Sequence, residues 1–222
     1  NVGVVQARDM STAEVAEMVE AVGADALCVH MNPAMELVQP EGDRDFTAGL
    51  QTFQRLWAEL DVPVIAKETG NGISHQVASK LRAIGIRHAD TSGAGGTSWV
   101  GVETLRAEGE GRALGEALWD WGIPTAASVH YCVEAGLTTI ATGGIRHGMD
   151  VARAIALGAS CAGIARNVYQ AFLEGGEDGA RSFLLRIERE LRSIMLLCGA
   201  RTIEELQNAP RVVSGELRDW LV

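Results

Sequence analysis

The sequence predicts an α/β protein: the last six strand-helix units of a (β/α)8 TIM barrel with extra C-terminal helices, read as one domain over residues 1–222. Three observations predict it. Short apolar runs alternate six times with capped, amphipathic stretches. Glycine-rich turns follow several of those runs, at Gly70-Asn71-Gly72, Gly93-Ala94-Gly95-Gly96 and Gly143-Gly144. The last of these turns is answered, about one helix later, by a second glycine-bearing strand end at Gly163. Such alternation makes a parallel sheet, and right-handed crossovers leave either an open doubly wound sheet or a closed barrel. A dinucleotide-binding fold would carry GxGxxG after its first strand, whereas loops gathered from several strand ends onto one face belong to a barrel.

Asn1-Val2-Gly3-Val4-Val5 reads as the first strand, and Ser11-Thr12-Ala13-Glu14 as a capping box opening a helix with Val15, Met18, Val19 and Val22 on one face. The second strand, Asp25 to His30, is apolar without alternation and is expected to be buried on both faces. A polar loop and a helix carrying Leu50, Phe53, Trp57 and Leu60 follow it. Val62 to Lys67 with a Ser74-capped helix through Ala78 and Leu81 makes the third unit, and Arg87 to Thr91 the fourth strand. After a long segment from Trp99 to Trp121, Pro124-Thr125 begins a helix, Thr138 to Thr142 is the fifth strand, Met149 to Leu157 a helix, and Cys161 to Ala165 the sixth strand. Phe183, Leu184, Ile187, Leu191, Ile194 and Met195 form one stripe of a helix expected to pack outside the ring, with a Thr202-to-Glu205 capping box after it. A barrel needs eight strands, so two more are expected ahead of Asn1.

Composition narrows the function. At 47% hydrophobic and 22% charged, the chain can bury a sizeable core, and no apolar run approaches the roughly 18 residues of a membrane span. With no charged-then-apolar leader, a cytoplasmic protein is expected. A formal charge of -10 without any Lys/Arg cluster argues against a nucleic-acid partner, so an anionic ligand must be met by local donors. Cys28, Cys132, Cys161 and Cys198 are far apart, without a CxxC pair, and read as reduced core thiols; neither HExxH nor a zinc spacing occurs among the histidines.

The local donors are found at the predicted strand ends. A Gly143-Gly144 turn after the penultimate strand, beside Gly163-Ile164-Ala165, presents backbone N–H groups to a phosphate, and a helix N-terminus there adds a favourable dipole. Lys67 ends a strand. An ammonium at a barrel mouth serves an anion or an electron-rich ring, the plainer alternative being a salt bridge in the neighbourhood of Glu68. The loop from His30 through Asn32, Met35 and Glu36 to Gln39, Asp43 and Arg44 is oxygen-rich and suits Mg2+ with a diphosphate, although Asp43 and Arg44 can also simply pair. Ser92 to Trp99 offers bare backbone, hydroxyls and an indole, suited to a flavin edge, a phosphate or a pocket wall.

Together these residues resemble the type 2 isopentenyl-diphosphate isomerase family, FMN-dependent barrel enzymes of isoprenoid synthesis. The resemblance is carried by the opening Asn-x-Gly, His30-x-Asn32, Gln39-Pro40-Glu41-Gly42-Asp43, Lys67-Glu68-x-Gly70-x-Gly72-Ile73-Ser74, Gly95-Gly96-Thr97-x-Trp99, Trp121 to Ala126, Gly143-Gly144-Ile145-Arg146 and Ile155 to Ala159. It implies interconversion of isopentenyl and dimethylallyl diphosphates with FMN, Mg2+ and NADPH as cofactors, in a homotetramer or homo-octamer. It also implies that Asn1, Lys67, Ser92, Thr97, Gly143 and Gly144 contact FMN, with Arg146, Gly163 and Ala165 near its phosphate. His30, Asn32 and Trp99 would face the substrate, and Glu36 would ligate Mg2+. The family carries glutamine where this chain has Met35, and a thioether neither relays a proton nor donates a hydrogen bond. Reduced or altered activity is therefore expected unless Gln39 substitutes. The family's N-terminal third, with an Arg-Lys substrate segment, is expected upstream, and the chain alone is expected to be inactive or to need a complementary fragment. An FMN oxidoreductase of the hydroxyacid-oxidase kind and a non-catalytic flavin-binding remnant are the rival readings.

Overall fold

The computed structural model describes residues 1–221. Six parallel strands lie side by side in chain order: β1 (Val2–Gly3), β2 (Leu27–Met31), β3 (Val64–Glu68), β4 (His88–Asp90), β5 (Thr138–Ala141) and β6 (Cys161–Ala162). Between β1 and β2 come helices α1 (Val4–Asp9) and α2 (Thr12–Ala21); then α3 (Pro33–Val38) and α4 (Gly49–Glu59); then α5 (His75–Ala83). Helices α6 (Trp99–Arg106), α7 (Gly109–Ala117) and α8 (Thr125–Glu134) link β4 to β5, and α9 (Gly148–Ala156) links β5 to β6. The chain continues through α10 (Arg166–Leu197), broken at Gly175 and Gly176, to α11 (Ile203–Gln207) and α12 (Glu216–Trp220). Strand order that never reverses is the winding of a barrel wall rather than of a doubly wound sheet. Among the described residues β1 and β6 are the two edges of this wall.

The strands are buried on one face only, which corrects the expectation of burial on both. Leu27, Val29, Val64, Ala66, Ala89, Thr139 and Ala141 point under the helices and are buried. The alternate residues, Cys28, His30, Ile65, Lys67, His88 and Ile140, are only half-buried. Pairing register puts Gly3, His30, Lys67, Asp90, Ile140 and Cys161 in one continuous row across all six strands. Side chains of paired residues share a face, so the inner face of the wall carries two imidazoles, an ammonium, a carboxylate and two thiols. Each strand therefore does alternate, but with His30 and Lys67 embedded among apolar neighbours the alternation is hard to see in the sequence.

Helix caps fall where expected. Ser11 and Glu14 form a complete capping box, Ser74 accepts from Val77 N–H, and Thr202 from Glu205 N–H. Val15 and Val19 are buried, whereas Val22 sits past the last turn of α2 and is exposed. The apolar start of the chain is divided: only Val2–Gly3 is strand, and Val4, Val5 and Ala7 turn helical to bury against the protein. A short apolar run does not by itself distinguish strand from helix. The sixth strand likewise stops at Ala162. One core cluster joins Leu27, Val29, Phe53, Leu56 and Leu81 beneath β1 to β4; a second joins Ala141, Val151, Ile155, Phe183 and Ile187, so α10 does pack outside the wall. Of the cysteines only Cys132 is a buried core thiol; Cys28 is half-buried, and Cys161 and Cys198 are exposed. No described helix is long and apolar enough to cross a membrane.

Candidate functional site

At the carboxyl end of the wall, three strands are tied by one carboxylate. Asp90 accepts from the Lys67 ammonium at 2.5 Å through one oxygen and from the Thr142 hydroxyl through the other. The Thr142 hydroxyl in turn accepts from Ser92 N–H at 2.9 Å. Lys67 thus pairs with Asp90 and not near Glu68, because consecutive strand residues point to opposite faces. Burial pushes the Cys28 thiol up, with smaller effects from the charges of Lys67, Asp90 and the Asn1 amino group.

Thr142 leads directly into Gly143 and Gly144, whose φ of 98° and 84° lie in the left-handed region that favours glycine. The loop after β4 packs on this turn backbone to backbone. A methyl built on Gly95 would stand 2.9 Å from Gly143 O, one on Gly96 2.6 Å from Gly144 N, and one on Gly144 would strike Gly95 O. Thr125 at the start of α8 donates to Gly143 O at 2.6 Å and holds the turn from below. Among the described residues, the amides of Gly95, Gly96, Gly143 and Gly144 donate to no protein acceptor. Gly163 lies beside them, 2.6 Å separating its added methyl from Thr142 Cγ2, and Ala165 follows at the exposed start of α10. Arg146 is exposed and reaches Gly95 O at 3.4 Å. Thr97 and Trp99, both exposed, pack on the turn after β3: a methyl on Gly70 would touch Thr97 O and Trp99 Cδ1, each at 3.5 Å.

The loop after β2 supplies a second polar string. His30 Nδ1 lies 3.2 Å from Asn32 Oδ1, Asn32 Nδ2 donates to Glu36 Oε1 at 2.7 Å, and Asp43 N–H donates to Glu36 Oε2 at 3.0 Å. Asn32 is buried and Glu36 half-buried. His30 is the register partner of Lys67, so the string borders the Asp90 cluster. Asp43 does not pair with Arg44; it accepts from Gln6, while Arg44 donates to the carbonyls of Leu37 and Gln39. Met35 is half-buried on α3, one residue before Glu36. Gln39 ends α3, its N–H donating to Met35 O at 3.2 Å, and lines a cavity of about 170 Å³ with Glu103 and Arg106.

Four residues were missed by sequence reading. Asp90, Thr142 and Thr125 are polar residues at strand or helix ends, visible in the sequence but unremarkable until the strands pair. Glu68 faces the helix side, buried, and one of its oxygens accepts amide hydrogen bonds from Thr69, Gly70, Asn71 and Gly72 at 2.5–3.0 Å. Burial raises its carboxyl to about 7 against the downward pull of those four amides.

The pattern of the FMN-dependent dehydrogenase family matches residues 120–213, a span that includes Thr125, the Gly143-Gly144 turn and Gly163. The chain is 47% identical over 212 residues to an isopentenyl-diphosphate delta-isomerase of Thermococcus onnurineus, an alignment covering 94% of this chain and 56% of that protein. It is 44% identical to those of Pyrococcus furiosus (96% of this chain, 55% of that protein) and Methanosarcina mazei (100% and 61%). The chain therefore spans little more than half the length of these relatives. Among solved structures, a mandelate oxidase bearing an FMN adduct superposes with a TM-score of 0.63 at 21% identity, over 90% of this chain and 59% of that one, a likeness of fold.

Proposed function

We propose, proceeding from the chain's kinship with the isopentenyl-diphosphate delta-isomerases, that it carries the flavin-phosphate cradle and the substrate loop of an enzyme interconverting isopentenyl and dimethylallyl diphosphates. The observation that carries the reading is convergence. Lys67, Ser92, the Gly143-Gly144 turn and Gly163 come from four different strand ends, yet are linked directly or through Asp90 and Thr142.

The residues fit FMN. Glycine amides on two loops in contact, free of protein acceptors and flanked by the Arg146 guanidinium, are the donor set a phosphate needs. In this reading Gly143, Gly144, Gly163, Ala165 and Arg146 hold the phosphate, while Asn1, Lys67, Ser92 and Thr97 meet the ring. Reduced FMN supplies an acid-base group and an electron-rich surface for an allylic proton shift without net redox change. The chain's own part is electrostatic and steric. Lys67 stands as a fixed positive charge beside the ring, His30 and Asn32 orient the substrate, and Trp99 walls the mouth against water, where charge built on an alkene is most sensitive to its surroundings. Glu36, a carboxylate already held by two donors, would be the protein's ligand to Mg2+, which would supply positive charge to offset a diphosphate. NADPH is the reductant expected to keep the flavin reduced, and a cytoplasmic homo-oligomer, tetramer or octamer, is the expected form.

Deuterium uptake into isopentenyl diphosphate from D2O, with FMN reduced anaerobically, Mg2+ present and the N-terminal part of a relative supplied as a complementary fragment, tests the reading, and exchange with formation of dimethylallyl diphosphate is expected. A yellow protein that yields peroxide from a 2-hydroxyacid without exchange would replace it by the oxidoreductase reading. Failure to retain FMN would overturn it.

A further inference from the structure

We propose that Asp90 is a positioning residue of this site. One oxygen sets the Lys67 ammonium and the other sets Thr142, whose hydroxyl holds the Ser92 amide, so the ends of β3, β4 and β5 are locked as one unit around the ring. The inference rests on the reading above that FMN binds here.

Only two of the 19 basic residues are lysines, Lys67 and Lys80. Lys80 lies on the surface of α5, whereas the Lys67 side chain is 26% exposed on the inner face. Its partner Asp90 is more deeply placed, with 11% of its side chain exposed and both oxygens engaged. A partly buried ion pair is a weak source of stability, since an apolar pair of similar volume often does as well or better. A carboxylate whose second oxygen fixes a neighbouring strand's hydroxyl has a geometric task. That task shows in Ser92, held at φ 33°, one of two non-glycine residues with positive φ among the described residues. Ser92 N–H is bound by Thr142 Oγ1, and its carbonyl accepts from Gly72 N–H at 3.2 Å, so the strained residue is clamped from both sides. An ammonium has three donors, and Asp90 takes one, leaving the others for the inner face.

The charge balance makes a further demand. Lys67 alone would favour electron gain by a neighbouring flavin, and Asp90 moderates that effect. In the FMN-loaded full chain, Asp90→Asn is expected to shift the flavin midpoint potential positive and Lys67→Met to shift it negative. The double variant is expected to return towards the wild-type value. Asp90→Asn and Thr142→Val are each expected to weaken FMN binding about tenfold, of the order of one charge-assisted hydrogen bond.

The tie itself is read without flavin. Acetylation of Lys67 by acetic anhydride, measured by mass spectrometry against Lys80 in the same molecule, is expected to rise several-fold in Asp90→Asn, since loss of the tie to the carboxylate frees the side chain to meet the reagent. If Asp90→Asn fails to fold, Asp90→Glu serves: a carboxylate set one methylene further out should raise Lys67 acetylation and weaken FMN binding while keeping the charge. A folded Asp90 variant with wild-type potential, FMN affinity and Lys67:Lys80 ratio would overturn the proposal. If the wild-type chain binds no FMN, the functional reading falls, and the acetylation ratio alone then decides whether Asp90 holds Lys67.

Discussion

Glu68 illustrates how a residue's neighbours, rather than its type, decide its chemistry. Its carboxyl is raised from 4.5 to about 7 by burial, so between those pH values the folded protein holds a proton that the unfolded chain has released. The stability this protonation contributes is complete below pH 4.5 and lost as pH rises through 7, a change of about 3 kcal/mol. Glu68→Gln removes the titration, so urea unfolding of wild type should weaken between pH 5 and pH 8 by more than that of the variant; parallel profiles would contradict the assignment. Met35 carries the opposite lesson, a residue whose chemistry is inert where the resemblance calls for an amide. Gln39, one helical turn on, lines a cavity with Glu103 and Arg106. Met35→Gln is expected to raise isomerase turnover about a hundredfold, the low end of a proton-transfer contribution. Equal rates in the two proteins would refute the expectation.

At the scale of elements, the connections between loops carry as much as the helices. Ser128 on α8 is fully buried and accepts from Ile73 N–H at 2.7 Å while donating to Ile73 O at 3.1 Å, fastening the turn after β3 to the helix that leads to β5. Ser128→Ala strands two buried backbone groups and should cost about 2–4 kcal/mol in denaturant unfolding. It should also loosen the Lys67 turn enough to weaken FMN binding. Elements announced by capping chemistry were legible: Ser11, Ser74 and Thr202 each do locally what their spacing promises. The stretch from Trp99 to Trp121 was not, since Gly109, Gly111 and Gly115 argue against a helix by propensity. The structure makes α7 there because Gly115 lets it approach α6 closely; a methyl at Gly115 would collide with Thr104. The short extents of β1 and β6, both expected to run to five residues, escaped for a related reason: pairing with a neighbour bounds them, and their own residues do not.

For the whole molecule, the one-sided wall has a thermodynamic consequence. A ligand that joins the ends of four strands should stabilise the folded chain. At a hundredfold excess over its Kd, FMN is expected to add about 2.7 kcal/mol, which for a chain of this size is a rise in Tm of about 5–10 °C. Riboflavin at the same concentration should raise Tm far less, because the Gly143-Gly144 amides and Arg146 would lack their phosphate; equal shifts would place the binding energy in the ring alone. The sequence by itself determined the strand-helix alternation, the helix caps and the glycine turns, since these follow from local periodicity and from turn chemistry carried within a few residues. Only the tertiary structure decided that Lys67 answers to Asp90, that Thr142 and Thr125 brace the glycine turn, and that the inner face of the wall is polar. Those facts depend on register between strands twenty to fifty residues apart, and a one-residue slip in any pairing would turn each of these side chains to the opposite face.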